Sequence, residues 1–207
     1  MERRISQEEG FPDSMSPVDH LNRQQLYRLT EAFKMWHEAA SSSYIRRVRG
    51  RYWLSFLFLR FSGARIGEIL RIDDTTDIDF GSSHIQIITP GPTSKTTRRV
   101  IPVPSDLISM LRSYLVEFPG MRGRVFALDQ GNFRREFYRR AEEAQLPRTL
   151  SHPHILRHTR AIEMLHAGVP FTMVQDLLGH VLRSTTALYL ERSEMAALQI
   201  LKEKGLL

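Results

Sequence analysis

Between His152 and Leu190 the chain places His154 and Arg157 three residues apart, then a Gly179-His180 pair, then Tyr189 nine residues after His180. On a helix, positions i and i+3 share a face, so an imidazole and a guanidinium can address one anionic group together. Gly179 follows the stretch Met173–Leu178. It reads as a helix C-cap that turns the chain and presents His180 from a loop. Two histidines, an arginine and a tyrosine suffice to hold a phosphodiester and attack it without a metal. The arginine fork chelates the non-bridging oxygens, the histidines donate or move protons, and the tyrosine supplies the nucleophile. A phenol with a free pKa of about 10 attacks only where cationic neighbours favour its ionised form.

The order and spacing of these residues resemble the C-terminal signature of the tyrosine recombinase (phage integrase) family: His-x-x-Arg, then Leu-Gly-His, then a tyrosine at this distance. Two upstream stretches extend the resemblance. SGARIGEIL, Ser62–Leu70, is similar to the family's first-arginine box and supplies Arg65; TSKTTRRVIPVP, Thr93–Pro104, is similar to its lysine-bearing β-turn and supplies Lys95. The resemblance implies a catalytic set of Arg65, Lys95, His154, Arg157, His180 and Tyr189. It also implies DNA cleavage through a 3′-phosphotyrosyl intermediate, with Lys95 protonating the leaving 5′-hydroxyl, and with neither metal nor cofactor. His158 and Glu68 are expected to support the site, Glu68 by orienting Arg65 from i+3.

Composition bounds the rest. A chain of 207 residues with 42% hydrophobic content can bury one good core. The net charge is +6 and arginine far outnumbers lysine, which suits bidentate phosphate contact and a nucleic-acid partner. Two arginine-rich runs, Arg46, Arg47 and Arg49, and Arg134, Arg135, Arg139 and Arg140, are candidates for DNA-backbone contact or for solvated faces. Where they do bind phosphate, counterion release makes binding steeply salt-dependent. With no cysteine, disulfides and thiolate metal sites are excluded. The longest largely apolar run, Trp53–Leu59, is far too short to span a bilayer, and Met1–Gly10 lacks a signal-peptide core. A cytoplasmic location with no membrane partner is expected.

These residues need elements to carry them. A helix is predicted from Asn22, with Asn22 as N-cap, Gln25 at the capping-box position and Leu26, Leu29, Phe33 and Trp36 on one face. A second, more apolar helix is predicted over Arg46–Phe61, with Trp53, Phe56, Leu57 and Leu59 as core candidates. Gly63 then turns the chain into a short helix carrying Arg65 to Leu70. Asp77–Phe80, His84–Ile88 and Arg99–Val103 read as three strands of a small antiparallel sheet, with Lys95 in the second connection. Ser105 is expected to cap a helix to Glu117 with Leu107, Met110, Leu111, Tyr114 and Leu115 inward. Asn132–Gln145 reads as a helix burying Phe133, Phe137 and Ala141 and keeping its arginines largely outside. The His154 helix, a short helix at Phe171–Leu178 and a terminal helix follow. The expected class is mainly α with a small antiparallel β-sheet (α+β), the tyrosine recombinase catalytic-domain fold.

Residues 1–17 read as a flexible lead-in, 18–192 as the catalytic domain and 193–207 as a helical tail. The tail carries Met195, Leu198 and Leu201 at helical spacing and is expected to dock on a neighbouring protomer. Most family members carry a helical core-binding domain ahead of the catalytic one; with so short a lead-in none is expected within this sequence, which reads either as a fragment or as a naturally short member lacking that clamp. The expected partner is double-stranded DNA, bound by a homo-oligomer assembled from protomers that are monomeric when free. Site-specific recombination is the primary reading. A non-catalytic DNA-binding regulator on the same fold, with any sensor outside this chain, and a type IB topoisomerase-like enzyme are the alternatives.

Overall fold

The computed structural model describes residues 19–90 and 96–179. The 1–17 lead-in, Lys95, His180, Tyr189 and the 193–207 tail lie outside the described residues. Helix α1 is Arg23–Glu38. The Asn22 side chain accepts from the Gln25 N–H and the Gln25 side chain accepts from the Asn22 N–H, both at 2.9 Å. This reciprocal pair satisfies two donors the first turn cannot, as the sequence predicts. Helix α2, Ser43–Ser62, begins a turn earlier than the apolar pattern indicates, because the Ser42 hydroxyl caps it. It ends where Gly63 adopts φ +65, a conformation costly for residues with a Cβ.

Helix α2 is the centre of the domain. It packs against α1, the short helix α3 (Ile66–Ile69), α4 (Ser105–Glu117) and α6 (Ile155–His166), while α5 (Gln130–Glu143) packs on α1. The joint between α1, α2 and α5 is aromatic. Phe33 stacks on Phe56 with centroids 4.1 Å apart and meets Phe137 at 5.9 Å. Burying each such ring contributes on the order of 2 kcal/mol, so this cluster fixes how the first and fifth helices meet.

Strands β1 (Ile78–Asp79), β2 (His84–Pro90) and β3 (Thr96–Pro102) form an antiparallel sheet in the order β1-β2-β3. The register pairs Ile85 with Ile101 and Ile87 with Arg99. With a side-chain period of two, Ile85, Ile87, Thr89, Arg99 and Ile101 therefore share one face. The three isoleucines are buried. Helix α7, Phe171–Leu178, closes on Gly179 at φ +69, and with α6 it carries a small apolar cluster of Ala161, Met164, Val174 and Leu178. Among the described residues no helix is long and apolar enough to cross a membrane.

Three expectations need correction. Helix α4 starts after Pro104 with no side-chain cap, so Ser105 is its first residue rather than its cap. Its buried face is Leu107, Ile108, Leu111 and Tyr114, while Met110 is exposed; the buried stripe is shifted toward Ile108. Arg140 does not stand outside α5. It is 7% exposed, with its guanidinium 4.9 Å from the Trp36 ring centroid and paired with Glu143 at 2.6 Å.

Candidate nucleic-acid cleavage site

The site is built on two turns that meet. The first is Ser62-Gly63-Ala64-Arg65. A Cβ on Gly63 would lie 2.5 Å from Leu178, so the glycine serves both the left-handed turn and the close approach of α7. Its carbonyl accepts from the Arg157 guanidinium at 2.9 Å, and Arg157 is 4% exposed. The second is the start of α6, where His154 occupies the N-cap with helical backbone and precedes Arg157 by one turn. The inward fork of Arg157 thus holds the turn from which Arg65 projects.

Arg65 and His154 line one open cleft of about 820 Å³, together with Glu68, Arg71, Thr89, Gln130, Arg134, Tyr138 and His152. Gln130, Arg134 and Tyr138 fall four residues apart on α5, along the polar face beside the buried Phe133 and Phe137. Of these, only Arg134 is among the sequence-predicted residues. Gln130 and Tyr138 carry the same spacing signal, which points to a polar stripe but not to what it faces. Arg71 carries no local signal at all.

Glu68 is the electrostatic hub. It is 5% exposed. One oxygen accepts from the Arg65 backbone N–H at 2.7 Å and from the Arg99 guanidinium at 2.7 Å; the other accepts from the Thr89 hydroxyl at 2.7 Å and from Arg99 at 3.1 Å. Burial by itself would raise the carboxyl, but these hydrogen bonds and the Arg99 charge outweigh it and hold the group down at about 2. The Arg65 guanidinium lies 3.5 Å from Glu68 and donates to the Gly179 carbonyl at 3.4 Å. From the sequence, Glu68 is expected to orient Arg65; its principal partner is Arg99, to which the sequence assigns no place in the site. With Glu68 neutralised by Arg99, the cleft keeps Arg65, Arg71 and Arg134 facing it, a surface for an anion.

His154 and His158 meet edge to face with ring centroids 4.6 Å apart. The crowding of protein around His154, then repulsion from His158, Arg157, His152 and Arg65, lowers its pKa to about 4. His158 is lowered too, by burial first and then by His152 and Arg157. Neutral imidazole is therefore the resting form of His154 near pH 7, with one N–H available to donate.

The other predicted arginines divide. Arg49 donates to the Trp36 carbonyl at 2.7 Å and lies over the Trp36 ring at 5.0 Å. Arg46 pairs with Glu117 at 3.1 Å, Arg47 lies over Tyr44 at 5.3 Å, and Arg139 pairs with Glu136 at 2.7 Å. Arg135 is exposed on α5.

This architecture, a helical domain with a three-stranded sheet and an arginine-lined cleft, is the fold of tyrosine recombinase catalytic domains. It superimposes on the catalytic domain of bacteriophage HP1 integrase with a TM-score of 0.57 at 22% identity, covering 84% of this chain and 88% of that one. XerH site-specific recombinase, in a pre-cleavage complex with its difH substrate, matches with a TM-score of 0.65 at 25% identity, over 86% of this chain and 51% of that one. A tyrosine recombinase of Thermosipho africanus (strain TCF52B) is 26% identical over 198 residues, 91% of this chain and 67% of the relative. The Phage integrase family matches residues 19–195. The chain belongs to that family, the tyrosine-type site-specific recombinases. It spans 67% of the length of the Thermosipho africanus recombinase and about half of the XerH chain.

Proposed function

We propose that this chain cuts and rejoins double-stranded DNA through a covalent 3′-phosphotyrosyl link. The observation that carries the reading is the convergence of Arg65 and His154 on one cationic cleft, with Arg157 locked behind them through the Gly63 carbonyl. A scissile phosphate in that cleft meets a guanidinium fork and an imidazole N–H, which stabilise the charge that grows on the non-bridging oxygens in a pentacoordinate transition state. Tyr189 and His180 act from the segment after Gly179, and Lys95 from the β2–β3 connection. The Tyr189 oxygen attacks phosphorus and gives up its proton to a site histidine. The bond to the 5′-oxygen breaks, and Lys95 protonates that oxygen. The phosphotyrosyl ester retains the bond energy, so the 5′-hydroxyl of a second strand reverses the step without a nucleotide cofactor. DNA binding as a homo-oligomer, docking of the 193–207 tail on a neighbouring protomer and a cytoplasmic location belong to the same reading.

The test is a duplex nicked beside the scissile phosphate, from which the short 5′-hydroxyl strand diffuses away and leaves any adduct trapped. The wild-type chain should accumulate a protease-sensitive protein–DNA adduct, and Tyr189→Phe should bind the duplex with unchanged affinity and form none. A Tyr189→Phe protein that still forms the adduct would place the nucleophile elsewhere. A wild-type chain that binds without ever forming it would be a DNA-binding module only.

A further inference from the structure

Arg99 sits in the middle of β3, opposite Ile87, on the inner face of the sheet. Its guanidinium touches three separate pieces of the chain. Nε donates to the Leu177 carbonyl at 2.9 Å; one terminal nitrogen donates to the Thr89 hydroxyl at 2.9 Å and to Glu68 at 3.1 Å; the other donates to Glu68 at 2.7 Å. The side chain is 13% exposed, so it lies behind the cleft rather than in it. A Cβ on Gly179 would lie 2.7 Å from the same guanidinium. Gly179 is therefore required for its φ and again for the room Arg99 occupies.

The last turn of α7 is thus gripped twice. Arg99 holds the Leu177 carbonyl, and Arg65 reaches the Gly179 carbonyl at 3.4 Å. These carbonyls lie at the negative end of the helix, where cations are favoured. Through Glu68, the guanidinium that holds Leu177 also holds the carboxylate that receives the Arg65 backbone N–H. The residue after Gly179 is His180, from which the remainder of the predicted site continues.

We infer that Arg99 is a positioning residue that fixes the Arg65 turn and the Leu177–Gly179 turn relative to each other, so that groups far apart in the chain meet at one phosphate. The inference rests on the cleavage reading above. Lysine at this position keeps the charge and one ion pair but lacks the fork needed to reach Leu177, Thr89 and Glu68 together. A misplacement of about 1 Å in a reacting group costs on the order of 100-fold in rate, whereas affinity rests on many phosphate contacts.

The experiment measures single-turnover adduct formation on the nicked duplex at saturating DNA, together with the equilibrium Kd, at a temperature where melting curves show each variant folded. Arg99→Lys should cleave about 10- to 100-fold more slowly, with Kd within about threefold of wild type. Because both residues act on one arrangement, the Arg65→Lys/Arg99→Lys double variant should be little slower than Arg65→Lys alone, the non-additivity expected of coupled sites. Thr89→Val removes one hydroxyl from the same network and gives the same pattern at several-fold if Arg99→Lys does not fold. A bridge that only stabilises the fold would leave the rate of folded protein unchanged, and one acting independently of Arg65 would multiply with Arg65→Lys. Either result overturns the inference while the wild-type adduct leaves the cleavage reading standing. A wild-type chain that forms no adduct overturns the reading itself, and the inference with it.

Discussion

Around Trp36, Arg49 and Arg140 both lay their guanidiniums over one indole ring, at 5.0 and 4.9 Å, and Arg140 is buried there with Glu143 as its ion-pair partner. Around Glu68, Arg99 and Arg65 meet one buried carboxylate, yet the Arg65 side chain keeps 42% of its surface exposed toward the cleft. In the first region the cation is consumed by an aromatic ring and a carboxylate of its own domain. In the second, Arg99 satisfies the carboxylate and leaves Arg65 with an open face. What leaves an arginine open to an anion here is the partner behind it, not the local density of positive charge.

The largest effect is expected at the cleft. Arg157→Lys keeps the charge but loses the planar guanidinium that holds the Gly63 carbonyl, so the turn carrying Arg65 shifts and adduct formation should fall by roughly 100-fold, the cost of misplacing a reacting group by about 1 Å. Affinity should change far less, because many other phosphate contacts remain. Equal losses of cleavage and binding would move Arg157 from the reaction to the binding surface.

The buried carboxylate gives the Glu68 region a pH dependence of its own. Glu68 is held at about 2 in the fold against an ordinary 4.5, so the unfolded chain takes up its proton first. Its stabilisation is complete above pH 4.5 and is lost as pH falls toward 2. The full amount is about 3 kcal/mol. His154, lowered to about 4, adds an earlier loss as pH falls below 6.5, but it is common to wild type and variant. Urea unfolding midpoints of Glu68→Gln should therefore be lower than wild type near pH 7 and flatter between pH 4.5 and 2. Parallel curves would assign the acid sensitivity to another carboxyl.

The smallest expected effects separate the two arginines of α5. Arg140→Ala should lower stability by about 1–2 kcal/mol through the lost stacking on Trp36, with the salt dependence of DNA binding unchanged. Arg134→Ala, facing the cleft, should leave stability within about 0.5 kcal/mol and reduce the slope of log affinity against log salt by about 1. The opposite assignment would mean that the Trp36 region, not the cleft, meets the DNA backbone.

Much of the fold is legible in the sequence because its signals are local. Asn22 and Gln25 satisfy donors within one turn, Gly63 and Gly179 occur where only a left-handed residue ends a helix, and the three short strands are separated by turn residues. Arg65, His154 and Arg157 are likewise read from short motifs whose spacing sets their helix positions. The exceptions are faces with two competing choices. On α4, Ile108 and Met110 are both apolar and flank the same Leu107–Leu111 line, and only tertiary packing decides that Ile108 goes in and Met110 stays out. On α5, Arg140 lies three residues after Phe137, at the edge of the core stripe, and Trp36 from α1 draws it inward.

Local spacing accounts for the helices, the sheet and the choice of candidate site residues, because capping, turns and periodicity involve neighbours within a few positions. Only the tertiary structure decided what each arginine is for. Arg98 and Arg99 are adjacent and chemically identical in the chain, and the pairing of Ile87 with Arg99 turns one of them inward. There it meets a carboxylate 31 positions before it and a carbonyl 78 positions after it. A guanidinium takes its role from the acceptors within its reach, and those acceptors are assembled by folding.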